Sequence, residues 1–220
     1  MVRQEEVAAY LLTKPDVCVI FVWMSSTKLG EHSMIMRLFE LKETLGIPGT
    51  DLLTRPVADR FVPSVHLLVK DARDTTDSIE FSFRAIGTAD TSFIDQLVIV
   101  NTLDQMKRGA LPRLGVFLSD LSASTLDNVA SVFDQKKIPI LCKQESGDYL
   151  LLGHIERNLA SVLLQLIKKG KLTAADLKRQ RGYDINVAST KLNRLFKLSV
   201  ATRKEEISTK GREYVYHSLF

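Results

Sequence analysis

Three short apolar runs lack any polar alternation: DVCVIFVWM at 16–24, LPRLGVFLSDL at 111–121 and IPILCK at 138–143. A strand with one face in water alternates apolar and polar residues, so these runs predict strands buried on both faces. Between the last two runs lies SASTLDNVASVFDQKK, whose apolar residues recur at helical spacing. This strand–helix–strand order predicts an α/β domain with a mixed, mainly parallel, Rossmann-like sheet.

Other segments of the first 150 residues have weaker patterns. HSMIMRLFELKETLG at 32–46 has helical spacing and ends in a glycine. Residues 61–72 and 77–87 are rich in strand formers and flank turn residues, so they predict an antiparallel hairpin. The second of these strands alternates polar and apolar residues, as a sheet with one face in water does. TSFIDQLVIVNTLDQMKRG is predicted to be a helix that Thr91 or Ser92 caps and Gly109 ends.

The charge is divided unevenly along the chain. Residues 156–220 carry a net charge of +8, whereas residues 1–155 carry −4. A neutral-to-acidic body with a basic end is typical of a chain that meets nucleic acid through that end, although a solvated basic surface has the same composition. We therefore expect two domains, an α/β domain at 1–150 and a basic domain at 156–220, joined near Gln144–Asn158.

Three helices are predicted in the basic segment. The first has an apolar stripe from Leu159 to Ile167 and stops at Gly170. Thr173 begins the second as an N-cap, with Asp176 three residues later in a pattern close to a capping box, and this helix ends near Gly182. The third, NVASTKLNRLFKLS, is predicted to start from Asn186 as its N-cap.

The third helix has two different faces. Apolar residues occupy one side and hydrogen-bond donors the other. Asparagine pairs with adenine and arginine with guanine in the major groove of DNA, which is wide enough for a helix. Beyond this helix, VATRKEEI and REYVYHSL read as two strands joined by STKG, with cations clustered around the turn. The predicted DNA contacts are Ser189, Thr190, Asn193, Arg194 and Lys197 on the helix, and Arg203, Lys204, Lys210 and Arg212 on the ribbon.

LNRLFKLSVATR and ISTKGREYVY, in this helical context, resemble the winged helix-turn-helix domains of bacterial and archaeal transcription regulators. The resemblance covers about 62 of the 220 residues. It implies a recognition helix followed by a two-stranded wing, and a dimer on palindromic duplex DNA. Ser199 stands where the family often has glycine. The layout also resembles the CRISPR-associated Rossmann-fold sensors that end in a winged helix, without sharing a recognisable motif.

The α/β part offers one weak candidate ligand site. Ligands of open α/β sheets lie beyond the carboxyl ends of the strands. The loop after the first apolar run holds Ser25, Ser26, Thr27 and Lys28, and Asp120 follows the second run. The loop matches neither phosphate-binding glycine motif, and residues at both places more often serve as ordinary helix caps. We assign no catalytic residue, cofactor or metal site, and Cys18 and Cys142 are expected to be buried thiols.

These patterns favour a cytoplasmic, DNA-binding transcription regulator. The α/β domain is expected to form a homodimer or to sense a small-molecule or nucleotide ligand. A nucleic-acid-processing enzyme, or an adaptor of a defence or mobile-element complex, is the alternative, with the winged helix as a DNA clamp. Packing without DNA contact, and a phosphate grip without base reading, also remain open for the third helix. No membrane span is expected, since no apolar run reaches 18 residues.

Overall fold

A computed structural model describes residues 9–14, 17–22, 33–208 and 211–219 of the chain. For the first two of these segments it describes the backbone alone. The α/β part contains strands β1 (Ala9–Lys14), β2 (Val17–Val22), β3 (Ser33–Arg37), β4 (Ser78–Ser82), β5 (Gly115–Ser119), β6 (Pro139–Lys143) and β7 (Tyr149–Gly153). Its helices are α1 (Leu38–Thr44), α2 (Arg55–Asp71), α3 (Thr91–Ile94), a π-helical stretch (Asp95–Leu103), α4 (Asp104–Arg108) and α5 (Ala123–Lys136).

All seven strands form one mixed sheet in the order β1-β2-β7-β6-β5-β4-β3. The pairs β3–β4, β4–β5 and β5–β6 are parallel, whereas β7, β2 and β1 join in antiparallel pairs. The mixed, partly parallel α/β architecture is therefore confirmed. Because β2 and β6 are both antiparallel to β7, β2 ends at the same edge of the sheet as β3–β6.

Helices of the α/β part cover one face of this sheet. Apolar side chains of β4, β5 and β6 on this face pack against α2, the α3–α4 segment and α5 in one buried core. Phe61 of α2 and Phe93 of α3 meet edge to face, with ring centroids 5.4 Å apart. Burial of this apolar area is the main driving force for the layer.

The C-terminal segment covers the second face. It consists of α6 (Arg157–Lys169), β8 (Lys171–Leu172), α7 (Ala174–Arg181), α8 (Ile185–Lys197), β9 (Thr202–Ser208) and β10 (Gly211–His217). Phe117, Leu141 and Leu151 of the sheet share a second buried core with Leu159 and Leu163 of α6. The backbone N–H of Val116 also donates to the carbonyl of Ser199 at 2.8 Å. The described part of the chain is thus built as three layers with two cores.

Within the third layer, β8, β10 and β9 form a small antiparallel sheet in that order. The element order is helix, strand, two helices and two strands, and the first strand pairs with the last. Ser199 joins α8 to β9 with φ 58°, a left-handed conformation that glycine adopts with less strain. This single residue turns the chain from the helix into the ribbon.

The hairpin predicted from 61–72 and 77–87 was wrong. Residues 55–71 form α2, because Ala58, Phe61, Val65 and Val69 recur every three or four positions and all face the first core. The β-branched composition of this stretch suggested a strand, but the helical period of its buried residues decided the structure. Proline at the start of α2 fits the first turn, where its missing N–H is not needed.

Three further expectations are corrected. The face of β4 predicted to meet water is buried, because it is the sheet face on which the C-terminal layer packs. The predicted helix at 32–46 is helical only from Leu38, since 33–37 pair with β4 as a strand. The segment predicted as a junction contains β7, which completes the large sheet next to β6.

Most of the predicted helix ends are correct. Thr173 and Asp176 form the capping box of α7, and Gly109 and Gly182 end their helices in left-handed conformations. Asp184 caps α8, not Asn186, because its carboxylate accepts the backbone N–H of Asn186 at 2.8 Å. Similarly, Asp90 caps α3 in place of Thr91 or Ser92.

We expect Leu163→Ala to destabilise the whole chain, because this fully buried side chain lies in the core between α6 and the sheet. Loss of about 2–5 kcal/mol of unfolding free energy is typical of such a truncation. Urea unfolding followed by far-UV circular dichroism measures it. Leu67→Ala, which deletes the same atoms from a side chain that is 61% exposed, is the matched control and should cost far less. Equal losses in the two variants would contradict the three-layer packing.

Candidate functional site

Helix α8 buries one side in the core of the C-terminal layer. Its buried residues Ala188, Leu192 and Leu195 belong to the core shared with α6 and α7. Since α8 has 13 residues and a buried stripe three or four residues apart, the remaining surface of the helix faces away from that core. The outward surface is therefore an ordered platform whose side chains are positioned by the packing beneath it.

The predicted contact residues of α8 lie together on this outward surface. Ser189, Thr190, Arg194 and Lys197 are exposed and Asn193 is half-buried. The Thr190 hydroxyl donates to the carbonyl of Asn186 at 2.8 Å, one turn back along the helix. Lys197 makes no ion pair with any described residue, so its ammonium group is available to an anion.

Arg194 is already engaged by a carboxylate. Its guanidinium donates two hydrogen bonds to Glu156, at 3.0 and 2.7 Å. Glu156 precedes α6 as its N-cap residue. Hydrogen bonding to Arg194, with its positive charge, lowers the pKa of Glu156, and the same contact raises the pKa of Arg194. Both side chains are about half exposed, and exposed ion pairs of this kind are weak, so a competing anion can displace Glu156.

Arg203 joins the ribbon to α8. Its guanidinium carbon lies 4.4 Å from the ring centroid of Phe196 and 4.3 Å from that of Tyr214. The same group donates to the side-chain oxygen of Asn193 at 3.2 Å. Arg203 is thus a packing residue between helix and ribbon, and it fixes the orientation of the Asn193 amide.

Two further cations of the described ribbon are also paired within the chain. Lys204 contacts Asp77 of the α/β part at 2.6 Å, and Arg212 contacts Glu205 at 3.3 Å. Glu206 and Glu213 face each other across the β9–β10 pair. Lys210 lies outside the described residues. The described ribbon therefore carries mixed charge, whereas Lys197 of α8 is a cation that has no ion-pair partner among the described residues.

A concave surface lies at the carboxyl edge of the parallel strands. It encloses about 470 Å³ and is lined by charged and hydroxyl side chains at the ends of β3–β6. Asp120 stands there with φ 55°, accepts a hydrogen bond from the Ser82 hydroxyl at 2.7 Å, and lies 3.5 Å from Arg84. Ser25, Ser26, Thr27 and Lys28, the other predicted members of a ligand site, lie outside the described residues.

Sequence patterns did not single out four charged residues of these two surfaces. Glu80, Arg37 and Lys143 line the cavity, and Glu156 holds Arg194. Glu80 was part of the alternating pattern of β4, where a buried carboxylate cannot be told from an exposed one. A signal for Glu156 existed in its place at the start of a helix, where acidic residues are common for reasons of capping and dipole.

Within the described segments, no three His, Cys, Asp or Glu side chains are grouped so as to hold a metal ion. Among the same residues, no helix combines the length and the apolarity that a bilayer crossing requires. Burial raises the pKa of the Cys142 thiol, and this cysteine is free, as expected. The side chain of Cys18 is not described.

Arg203→Ala should lower the unfolding free energy by about 1–3 kcal/mol, because two cation–π contacts and one hydrogen bond are lost from a half-buried site. Chemical denaturation measures this loss. Arg212→Ala removes the same charge from a ribbon position whose side chain is 79% exposed, and it should leave stability nearly unchanged. If both variants are equally stable, Arg203 does not pack the ribbon against α8.

No protein-family model matches the chain, and no curated protein sequence matches it.

Proposed function

We propose that the chain is a sequence-reading DNA-binding protein and that residues 156–220 form a winged helix-turn-helix domain. In this proposal α8 is the recognition helix and β9–β10 is the wing. The observation that carries the proposal is the two-sided construction of α8, with an apolar stripe in the core and a donor-rich stripe on the outside. The order of the six C-terminal elements, with β8 paired to β10, supports it.

Chemical type favours duplex DNA as the partner of this surface. Ser189 and Thr190 offer hydroxyls, Asn193 an amide, and Arg194 and Lys197 positive charge, all on one turn-to-turn stripe of α8. Phosphates attract the cations, and base edges in the major groove accept hydrogen bonds from arginine and asparagine. A protein–protein surface is usually depleted in lysine at its centre, so this stripe fits a polyanion better.

The internal contacts refine the assignment of roles. Asn193 accepts a hydrogen bond from Arg203, and Lys204 forms an ion pair with Asp77. In this proposal these residues hold the surface in place and do not read bases. Arg194 is the candidate for base recognition, and its guanidinium must release the Glu156 carboxylate before it can contact a base. Lys197 is the phosphate-binding candidate. Under this proposal the α/β part is Rossmann-like and serves dimerisation or ligand sensing, and the whole acts as a transcription regulator in the cytoplasm.

A binding-site selection with random duplex DNA at two salt concentrations tests the proposal. A consensus that persists at the higher salt supports a regulator that reads sequence. Retention that disappears with salt and yields no consensus supports the clamp alternative. Absence of retention even at low salt would end the DNA-binding proposal.

Arg194→Ala should weaken binding to the selected site by roughly tenfold or more and relax selectivity at one position, because a base contact is lost. Lys197→Ala should weaken all sequences alike and flatten the salt dependence by about one unit of slope, because one phosphate contact is lost. Fluorescence anisotropy at several salt concentrations measures both. Equal affinity of the Arg194 variant for every duplex would refute base reading by that residue.

Glu156→Gln should increase affinity for DNA by a few-fold, since it frees the Arg194 guanidinium and removes a negative charge beside the phosphates. Asp127→Asn removes a carboxylate from an exposed position on α5, in the layer opposite to α8 and the ribbon, and it serves as the control. An unchanged or reduced affinity of the Glu156 variant, measured in the same titrations, would show that this contact does not compete with DNA.

A further inference from the structure

The cavity at the carboxyl edge of the sheet has an ordered arrangement of charge. Cross-strand register places Ile35, Glu80 and Phe117 in one row across β3, β4 and β5. Two residues further along each strand, a second row on the same face runs through Arg37, Ser82, Ser119, Lys143 and Tyr149. The inner row therefore contains one carboxylate between two apolar residues, and the outer row is polar throughout.

Glu80 is the unusual member of the inner row. Its side chain is buried, with the residue only 5% exposed. The oxygen Oε2 is sealed from solvent, and no described residue gives it a hydrogen bond. A buried carboxylate is costly unless a cation or several donors compensate it. The pKa of Tyr149 is raised to about 12, first by burial and then by the negative charge of Glu80.

Both charged residues of the outer row, Arg37 and Lys143, are cations. Among the described residues Lys143 has no carboxylate within ion-pair distance, whereas Arg37 forms a long, exposed ion pair with Glu40 at 3.7 Å. Exposed pairs of this kind are weak, so an anionic ligand can compete for Arg37.

Asp120 also lines the cavity, where it accepts a hydrogen bond from Ser82 and lies 3.5 Å from Arg84, and the exposed Glu145 lines it as well. A ligand in this cavity thus meets the buried carboxyl group of Glu80 inside and charges of both signs at the mouth. The two cations of the outer row are the groups there that can hold an anion.

We propose that the cavity binds a small zwitterion with its amine on Glu80 and its anionic group on Arg37 and Lys143. A cationic amine suits Glu80 better than a hydroxyl does, because only a cation balances the buried charge. Arg37 lies one strand across from Glu80 and two residues further along, which corresponds to about 8 Å between backbone positions, and Lys143 lies two strands across, at about 12 Å. The two charges of the ligand must therefore be well separated. Basic amino acids and ω-amino acids have this separation, and the cavity volume of about 470 Å³ accommodates them.

This ligand site stands apart from the DNA-binding proposal, because its test contains no DNA. Isothermal titration calorimetry on the full chain would use L-lysine, L-arginine and 6-aminohexanoate as probes. Hexylamine carries only the cation, hexanoate carries only the anion, and AMP and GMP represent nucleotides. We expect one saturable site for at least one zwitterion. Each single-charge compound should bind at least about tenfold more weakly.

Two variants assign the roles of the charged groups. Glu80→Gln should weaken zwitterion binding by about tenfold or more, because the amide cannot balance the amine. Lys143→Ala should weaken the zwitterion while leaving hexylamine unaffected. Asp127→Asn, an exposed position on α5 in the opposite helical layer, is the matched control and should bind as the parent chain does.

Folding of the Glu80 variant is checked without ligand. Removal of an uncompensated buried charge should leave the melting temperature unchanged or raise it, whereas a carboxylate with a structural role would lower it. The proposal is overturned if no zwitterion saturates the chain at millimolar concentration, or if Glu80→Gln binds as tightly as the parent. Saturable binding of AMP or GMP without zwitterion binding would also overturn it.

Discussion

The apolar contact between α6 and the second face of the large sheet supports the rest of the structure. Phe117, Leu141 and Leu151 alone would leave a hydrophobic surface in water, and α6 covers it with its own buried stripe. Helices α7 and α8 and the small sheet then pack around α6. The outward face of α8 is consequently positioned by a core that begins in the α/β part, so the basic segment is joined to the body by packing as well as by the chain.

This second face of the sheet is used in two ways. Its apolar part binds the C-terminal layer, and its polar part, near the carboxyl ends of β3–β6, lines the cavity. The two proposed sites are therefore built on one sheet face. Contacts at the other end of the strands, from Lys204 to Asp77 and from Val116 to Ser199, fix the ribbon against the body.

Local patterns predicted those elements whose signals do not depend on distant residues. The strands β5 and β6, helix α5 and the capping box of Thr173 followed from short-range rules of burial and hydrogen bonding. For α2 the same rules failed. Its strand-forming composition predicted a strand, whereas its buried residues recur at helical spacing, and packing against the core favoured the helix. The outward stripe of α8 was visible as a pattern, but its partners were not, since Glu156 and Arg203 are distant along the chain.

By itself the sequence determined the α/β class, the uneven distribution of charge and the two-sided character of α8, because these depend on residue type and spacing. Only the tertiary structure decided that the basic segment packs on the sheet as a third layer, that Arg194 is held by Glu156, and that an oxygen of Glu80 is buried without a hydrogen-bond donor among the described residues. The physical reason is that burial and ion pairing are properties of residues brought together from separate parts of the chain, and no local spacing encodes which of them meet.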